Sequence, residues 1–171
     1  MALPNLFAKR FLGIDVGTSA VRIVELEDDA IPKLTNYGEL KTEVLRKDMP
    51  MLGKKAMAFF SVPEASAMIR AIIEAAKIKT RQCVFSIPDF STFFTNFKLP
   101  PMTEAEIKEA VIFEARQHIP LPLESVTIDW QLISGAPGNG QNIEILLAAI
   151  PNEIVNQYKE IAKNINLEII S

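Results

Sequence analysis

The sequence has one cysteine, one histidine, one tryptophan and no surplus of basic residues. With a single cysteine no internal disulfide can form. Cys83 lies beside Val84, Phe85 and Ile87, a setting for a buried, inert thiol in a reducing cytoplasm. The lone His118 has no second His or Cys near it, which argues against zinc, and no nucleophile motif accompanies it for a Ser, His and acid arrangement. Eighteen Lys and Arg against 21 Asp and Glu give a net charge of -3, so the basic excess that a phosphate backbone demands is missing and no nucleic-acid partner is expected. Long hydrophobic runs are absent too. Phe11 to Val16 is broken by Gly13 and Asp15, far short of the roughly 18 residues of a membrane span, and no signal-peptide core follows Lys9 and Arg10.

What is present suits a globular chain: 171 residues, 49% hydrophobic and 23% charged, enough for one domain or two small lobes. Phe11 to Val16 and Val21 to Glu27 read as two strands joined at Gly17-Thr18-Ser19, and Lys33 to Lys41 returns as a third, completing a meander. Val44 to Lys55, with Pro50 and Gly53, breaks any period and reads as a loop, closed by Phe59 and Phe60. Ser61 and Glu64 form a capping box, after which Ala65, Met68, Ile69, Ile72, Ile73 and Ala76 recur at helical spacing. Strands follow over Gln82–Ile87 and Ser91–Leu99, then a helix from the Thr103/Glu106 capping box to Gln117, stopped by Pro120 and Pro122. Val126–Ser134 and Asn142–Ile150 read as strands around a Gly135–Gly140 hairpin tip containing Asn139-Gly140, and Pro151 opens a last helix. The order βββαββαββαβ predicts a mixed α/β class with α+β character. Leu167 to Ile170 begins a further buried strand, from which the natural chain is expected to continue past Ser171.

Among residues able to carry chemistry, Gly13-Ile-Asp15-Val-Gly17-Thr18-Ser19 delivers a carboxylate to a strand end and turns at once on a glycine and two hydroxyls. Such a turn can aim backbone N–H groups at a phosphate while Asp15 holds the water shell of magnesium. Gly, Thr and Ser are also ordinary turn residues, so a plain hairpin stays open on this pattern alone. Gly135, Gly138 and Gly140 lack the lysine of a Walker motif and read as a hairpin tip. Glu104, Glu106, Glu109 and Glu114 read as a solvated helix face, and His118 as a capped helix end. Five of the ten phenylalanines, Phe85, Phe90, Phe93, Phe94 and Phe97, crowd one segment. Adjacent Phe93 and Phe94 must face opposite ways in a strand, so either the sheet is covered on both faces or one ring meets a partner, such as a peptide added to the sheet edge.

Two longer runs carry a resemblance. GIDVGTSAVRIVEL from Gly13 to Leu26 resembles the first phosphate motif of actin-like ATPases. LPPMTEAEI from Leu99, FEARQHIPLPLESV from Phe113, and Asp129-Trp-Gln131 resemble the PilM family of type IV pilus assembly proteins, itself similar to the cell-division protein FtsA. The resemblance implies an actin-like, ribonuclease H-like ATPase fold of which this chain supplies part of one lobe. Subdomain 1A would hold residues 1–79 and 152–171, the inserted subdomain 1C would hold residues 80–151, and the second lobe would be absent. It further implies an ATP and magnesium site in which Asp15 lies beside the hydrated metal while Gly17, Thr18 and Ser19 wrap the phosphates. Arg22 stands where the motif usually has lysine, keeping the charge but changing the donor geometry. The second phosphate loop and the adenosine-binding glycines would lie in the missing lobe, so weak ATP binding or none, and no hydrolysis, are expected of this chain.

For partners, the family implies the N-terminal cytoplasmic tail of the inner-membrane protein PilN, held in a groove between subdomains 1A and 1C. The expected wall comprises Phe90, Phe93, Phe94, Arg116, Gln117, Ile119 and Pro120. Coupling to the assembly motor, self-association and a cytoplasmic location peripheral to the inner membrane belong to the same picture. Two other readings compete: a sugar or acetate kinase relative sharing the phosphate motif, and an FtsA-like filament-forming protein. Against the kinase stand the missing catalytic base and the runs through subdomain 1C.

Overall fold

The computed structural model describes residues 9–41 and 60–170. Strands β1 (Arg10–Val16), β2 (Ala20–Glu27) and β3 (Lys33–Lys41) come first, followed by helix α1 (Val62–Ala75) and strands β4 (Gln82–Ser86) and β5 (Phe93–Leu99). Helix α2 (Glu104–His118), strands β6 (Val126–Ser134) and β7 (Ile143–Pro151), helix α3 (Asn152–Asn164) and strand β8 (Glu168–Ile169) complete the order. These are the elements that the periodicities predict. The loop expected over Val44 to Lys55, and Phe59, lie outside the described residues.

The chain divides into two compact units, residues 1–88 with 157–171 and residues 89–156. In the first, a five-stranded sheet has the order β3-β2-β1-β4-β8. β1 pairs antiparallel with β2 and parallel with β4, and β4 pairs parallel with β8. A boundary at residue 80 would send β4 to the second unit. The register Leu12↔Cys83 to Asp15↔Ser86 keeps it in the first, because its backbone completes the ladder of β1. Alternation along β1 and β2 puts Leu12, Ile14, Val21 and Ile23 on one face, where they are 0–2% exposed and pack with Met68, Ile69 and Ile72 of α1 and Ile161 of α3.

Helix α1 starts as its sequence predicts: the Ser61 N–H donates to Glu64 Oε2 at 2.8 Å, and the Glu64 N–H donates back to Ser61 Oγ at 3.4 Å. It ends in a Schellman turn. Lys77 takes φ 55°, its N–H donating to Glu74 O at 3.1 Å and the Ile78 N–H to Ile73 O at 2.9 Å. Helix α3 ends the same way on Asn166, also at φ 55°. Beside the first of these ends, Glu25 is 6% exposed and accepts hydrogen bonds from Thr80 Oγ1 at 2.6 Å and Thr35 Oγ1 at 3.0 Å, so two hydroxyls satisfy a buried carboxylate at the β2–β3 bulge.

The second unit is a three-stranded antiparallel sheet, β5-β7-β6, with α2 on one face. On central β7, Ile143, Ile145, Leu147 and Ala149 are wholly buried, and Ile107, Val111 and Ala115 of α2 pack against them with Phe97 and Leu99. Pro151 closes β7, and α3 begins one residue later. The β6–β7 connection spans residues 135–142 and is not a two-residue Asn-Gly turn. The Gly138 N–H is drawn to Met102 O at 3.0 Å, and Gly135, at φ 87°, sits where a Cβ would strike Asn142 O. His118 ends α2 with its ring stacked on Phe97, centroids 5.2 Å apart.

Two outcomes follow for this architecture. A left-handed lysine is strained where glycine is not, so Lys77→Gly is expected to raise the unfolding free energy by about 0.5–1 kcal/mol in urea denaturation. Burial pushes the Cys83 thiol up to about 11. The folded state therefore keeps it protonated, and its contribution to stability is complete below the ordinary thiol value and is lost as pH rises from there towards the raised one. Thiol labelling at pH 8 should accordingly be slow in the native chain and rapid in denaturant.

Candidate functional site

The site lies at the end of β1. The Gly17 N–H donates to Ala20 O at 3.0 Å, closing the β1–β2 turn. A Cβ on Gly17 would lie 3.1 Å from Ala20 O and 3.4 Å from Asp15 Oδ2, so the turn keeps a space that a larger residue would fill. This tight return brings Asp15, Gly17, Thr18, Ser19 and Arg22 to one end of the hairpin.

Strand register then assembles a polar row on the sheet face opposite Leu12 and Ile14. Asp15 is the direct partner of Arg22 on β2 and of Ser86 on β4, and Arg22 is the partner of Glu39 on β3. Ser86 Oγ donates to Asp15 Oδ1 at 2.7 Å, Arg22 Nη1 to Asp15 Oδ2 at 3.4 Å, and Arg22 Nε to Glu39 Oε1 at 3.1 Å. Four adjacent strands thus contribute one hydrogen-bonded chain of alternating character. The Asp15, Arg22 and Glu39 side chains stay about half exposed, open to a ligand.

Below the turn, a shallow recess is lined by Val16, Gly17, Phe60, Ala65, Gln157 and Tyr158. Tyr158 is buried with its ring edge-on to Phe85, centroids 5.3 Å apart, and burial, then the charge of Asp15, pushes its phenol up. It is therefore a neutral hydroxyl at physiological pH. Among the described residues no cluster of three or more His, Cys, Asp and Glu is placed to hold a metal directly. Asp15 has one oxygen on a neutral hydroxyl and the other under a long guanidinium contact. That leaves acceptor capacity for the water shell of a cation, and so the residues fit a hydrated magnesium.

Sequence reasoning did not single out Ser86, Glu39 or Tyr158 for this site. Ser86 and Glu39 reach it through strand pairing, which no local motif announces. The helical spacing of α3 marks Tyr158 only as apolar-facing.

The phenylalanine-rich segment forms an edge of the second unit. β5 pairs only with β7 among the described strands, and Phe90, Phe93 and Phe94 are 55%, 43% and 57% exposed. Phe93 shares the α2 face with Phe97 and Leu99, while Phe94, Asn96 and Lys98 point to the other face. Arg116, Gln117 and Pro120 are exposed at the end of α2. Ile119 is different: it is 6% exposed and its side chain belongs to the core with Ile107 and Val111, so it offers no surface to a partner. Its apolar side chain is taken up by the sheet as α2 ends.

The geometry can be set beside known proteins. The family described as "Type IV pilus assembly protein PilM" matches residues 13–170. A solved structure of a "PilM-PilN type IV pilus biogenesis complex" is similar at TM-score 0.76 and 23% identity, over 94% of this chain and 46% of that one. The cytoplasmic domain of EpsL, an inner membrane component of the type II secretion system of Vibrio cholerae, is similar at TM-score 0.55 and 11% identity, over 94% of this chain and 55% of that one. The chain therefore spans about half the length of these two solved chains, and at such identities the likeness establishes the fold, a mixed α/β architecture of the actin-like kind. With the family match running over nearly its whole length, the chain belongs to the PilM family of type IV pilus assembly proteins.

Proposed function

We propose that this chain is a scaffold of type IV pilus assembly that takes the N-terminal cytoplasmic tail of the inner-membrane protein PilN as an extended strand on the outer edge of β5. The observation that carries the reading is that edge: seven residues of strand with an exposed phenylalanine on each face at its start. An added strand gains affinity from main-chain hydrogen bonds and specificity from side-chain contacts, and Phe93 and Phe94 supply aromatic contacts on both faces. The solved complex titled PilM-PilN, which resembles this chain in fold, supports the choice of partner. Binding of this kind would hold the protein at the cytoplasmic side of the inner membrane. No described helix is long and apolar enough to cross it.

The same reading gives the β1–β2 turn a nucleotide role. Asp15 would hold the water shell of magnesium, Gly17, Thr18 and Ser19 would present the turn to the phosphates, and Arg22 would approach them in place of the usual lysine. Magnesium would supply neutralisation of the phosphate charge there. The β1–β2 turn offers contacts to phosphate and magnesium only, so ATP binding through it alone would be weak, and nucleotide state would modulate partner coupling, including coupling to the assembly motor and to further copies.

Titration of the chain with the tail peptide, following Trp130 emission and heat together, is expected to show saturable one-to-one binding that Phe94→Ala weakens by about tenfold. No binding by the folded chain, or full affinity in Phe94→Ala, would overturn the assignment. In a parallel titration, magnesium ATP is expected to show no saturation at micromolar concentration, and clear micromolar affinity would show the contacts of the β1–β2 turn to be sufficient.

A further inference from the structure

Arg22 is held in a way that a phosphate-binding hairpin does not require. Its guanidinium lies between two carboxylates on flanking strands, with Nε 3.1 Å from Glu39 Oε1 and Nη1 3.4 Å from Asp15 Oδ2. The arrangement follows from backbone register, because Asp15, Arg22 and Glu39 are direct cross-strand partners on one face. The two contacts are unequal. The shorter anchors the guanidinium at Glu39, and the longer lets it lean over Asp15. The far oxygen of Asp15 meanwhile accepts from Ser86 Oγ at 2.7 Å, which keeps the carboxylate turned towards the arginine.

We propose that Arg22 is a latch on Asp15, standing where a hydrated divalent cation would lie and releasing the carboxylate only to a cation that arrives with phosphate. The inference rests on the nucleotide reading of the β1–β2 turn and deepens it. A guanidinium carries five donors in a rigid fork, so Nη1 can turn to a phosphate oxygen while Nε stays on Glu39. Asp15, still aimed by Ser86, then accepts hydrogen bonds from the water shell of the cation. A cation alone must instead displace Arg22 Nη1 from Asp15 with no phosphate oxygen to receive that donor. The latch therefore couples the two ligands: the site discriminates against the free metal and favours the metal–phosphate complex. Lysine in the same place is a flexible point charge without the planar fork, so it lacks the fixed geometry that keeps one donor on Glu39 while another covers Asp15.

The test uses the 15N-labelled chain, with Mg2+ alone and the magnesium complex of pyrophosphate as probes. The amides of Asp15 to Ser19 and the Arg22 Nε–H are followed by NMR. In the wild type the complex is expected to act at concentrations at least about tenfold below those of Mg2+ alone, with the Nε–H still protected from solvent exchange by Glu39. Arg22→Lys preserves the charge and removes the bridge, so its response to Mg2+ alone should move at least about threefold lower. Glu39→Gln should leave the fold intact and speed exchange of the Nε–H. Equal responses of Arg22→Lys and wild type to Mg2+ alone would overturn the latch, because charge without fork geometry would then govern the site. Silence of the Asp15 to Ser19 amides to both probes in all three proteins would instead overturn the nucleotide reading, and the latch with it.

Discussion

The first unit depends on the backbone pairing of β1, which is hydrogen-bonded antiparallel to β2 on one side and parallel to β4 on the other. Two ladders of different sense on one strand leave little freedom in register. A slip by one residue would turn Leu12 and Ile14, now 0% and 2% exposed, to the open face and bury Asp15 among α1 and α3. Burial of the apolar face therefore selects the register, and the same register lines up Ser86, Asp15, Arg22 and Glu39 on the other face. Core and candidate site are two faces of one constraint.

The polar row is built for response more than for stability. Its ion pairs are about half exposed, and exposed pairs contribute little, about 0–1 kcal/mol each. The buried carboxylate of the same unit, Glu25, is fixed instead by two hydroxyls at the bulge, away from the turn. A network of weak, solvent-accessible contacts held in place by rigid strands can exchange partners when a charged ligand arrives, while the sheet beneath it stays in register.

The second unit solves a different problem. A three-stranded sheet must leave two edges, and its central strand β7 buries one whole face under α2. That face takes up Phe97, Leu99 and also Ile119, while at the start of β5 Phe93 on the same face and Phe94 on the opposite one stay exposed. An edge strand with exposed aromatics is a liability for an isolated protein and a docking strand for a peptide with matching side chains.

Much of this was legible in the residues. The capping boxes at Ser61 and Thr103, the alternation along β7, the tight turn at Gly17 and the order of elements depend on neighbours a few positions apart, and local chemistry suffices for them. The place of β4 in the first sheet and the burial of Ile119 were not legible, nor was the delivery of Ser86 and Glu39 to Asp15. Ser86 and Asp15 are 71 positions apart, and nothing in either segment states that they meet. The sequence by itself determined which segments become strands and helices and where the Gly17 turn stands beside Asp15. Only the tertiary structure decided which strands are neighbours, because pairing is selected by burial of the whole apolar face, a sum over distant residues that no single segment contains.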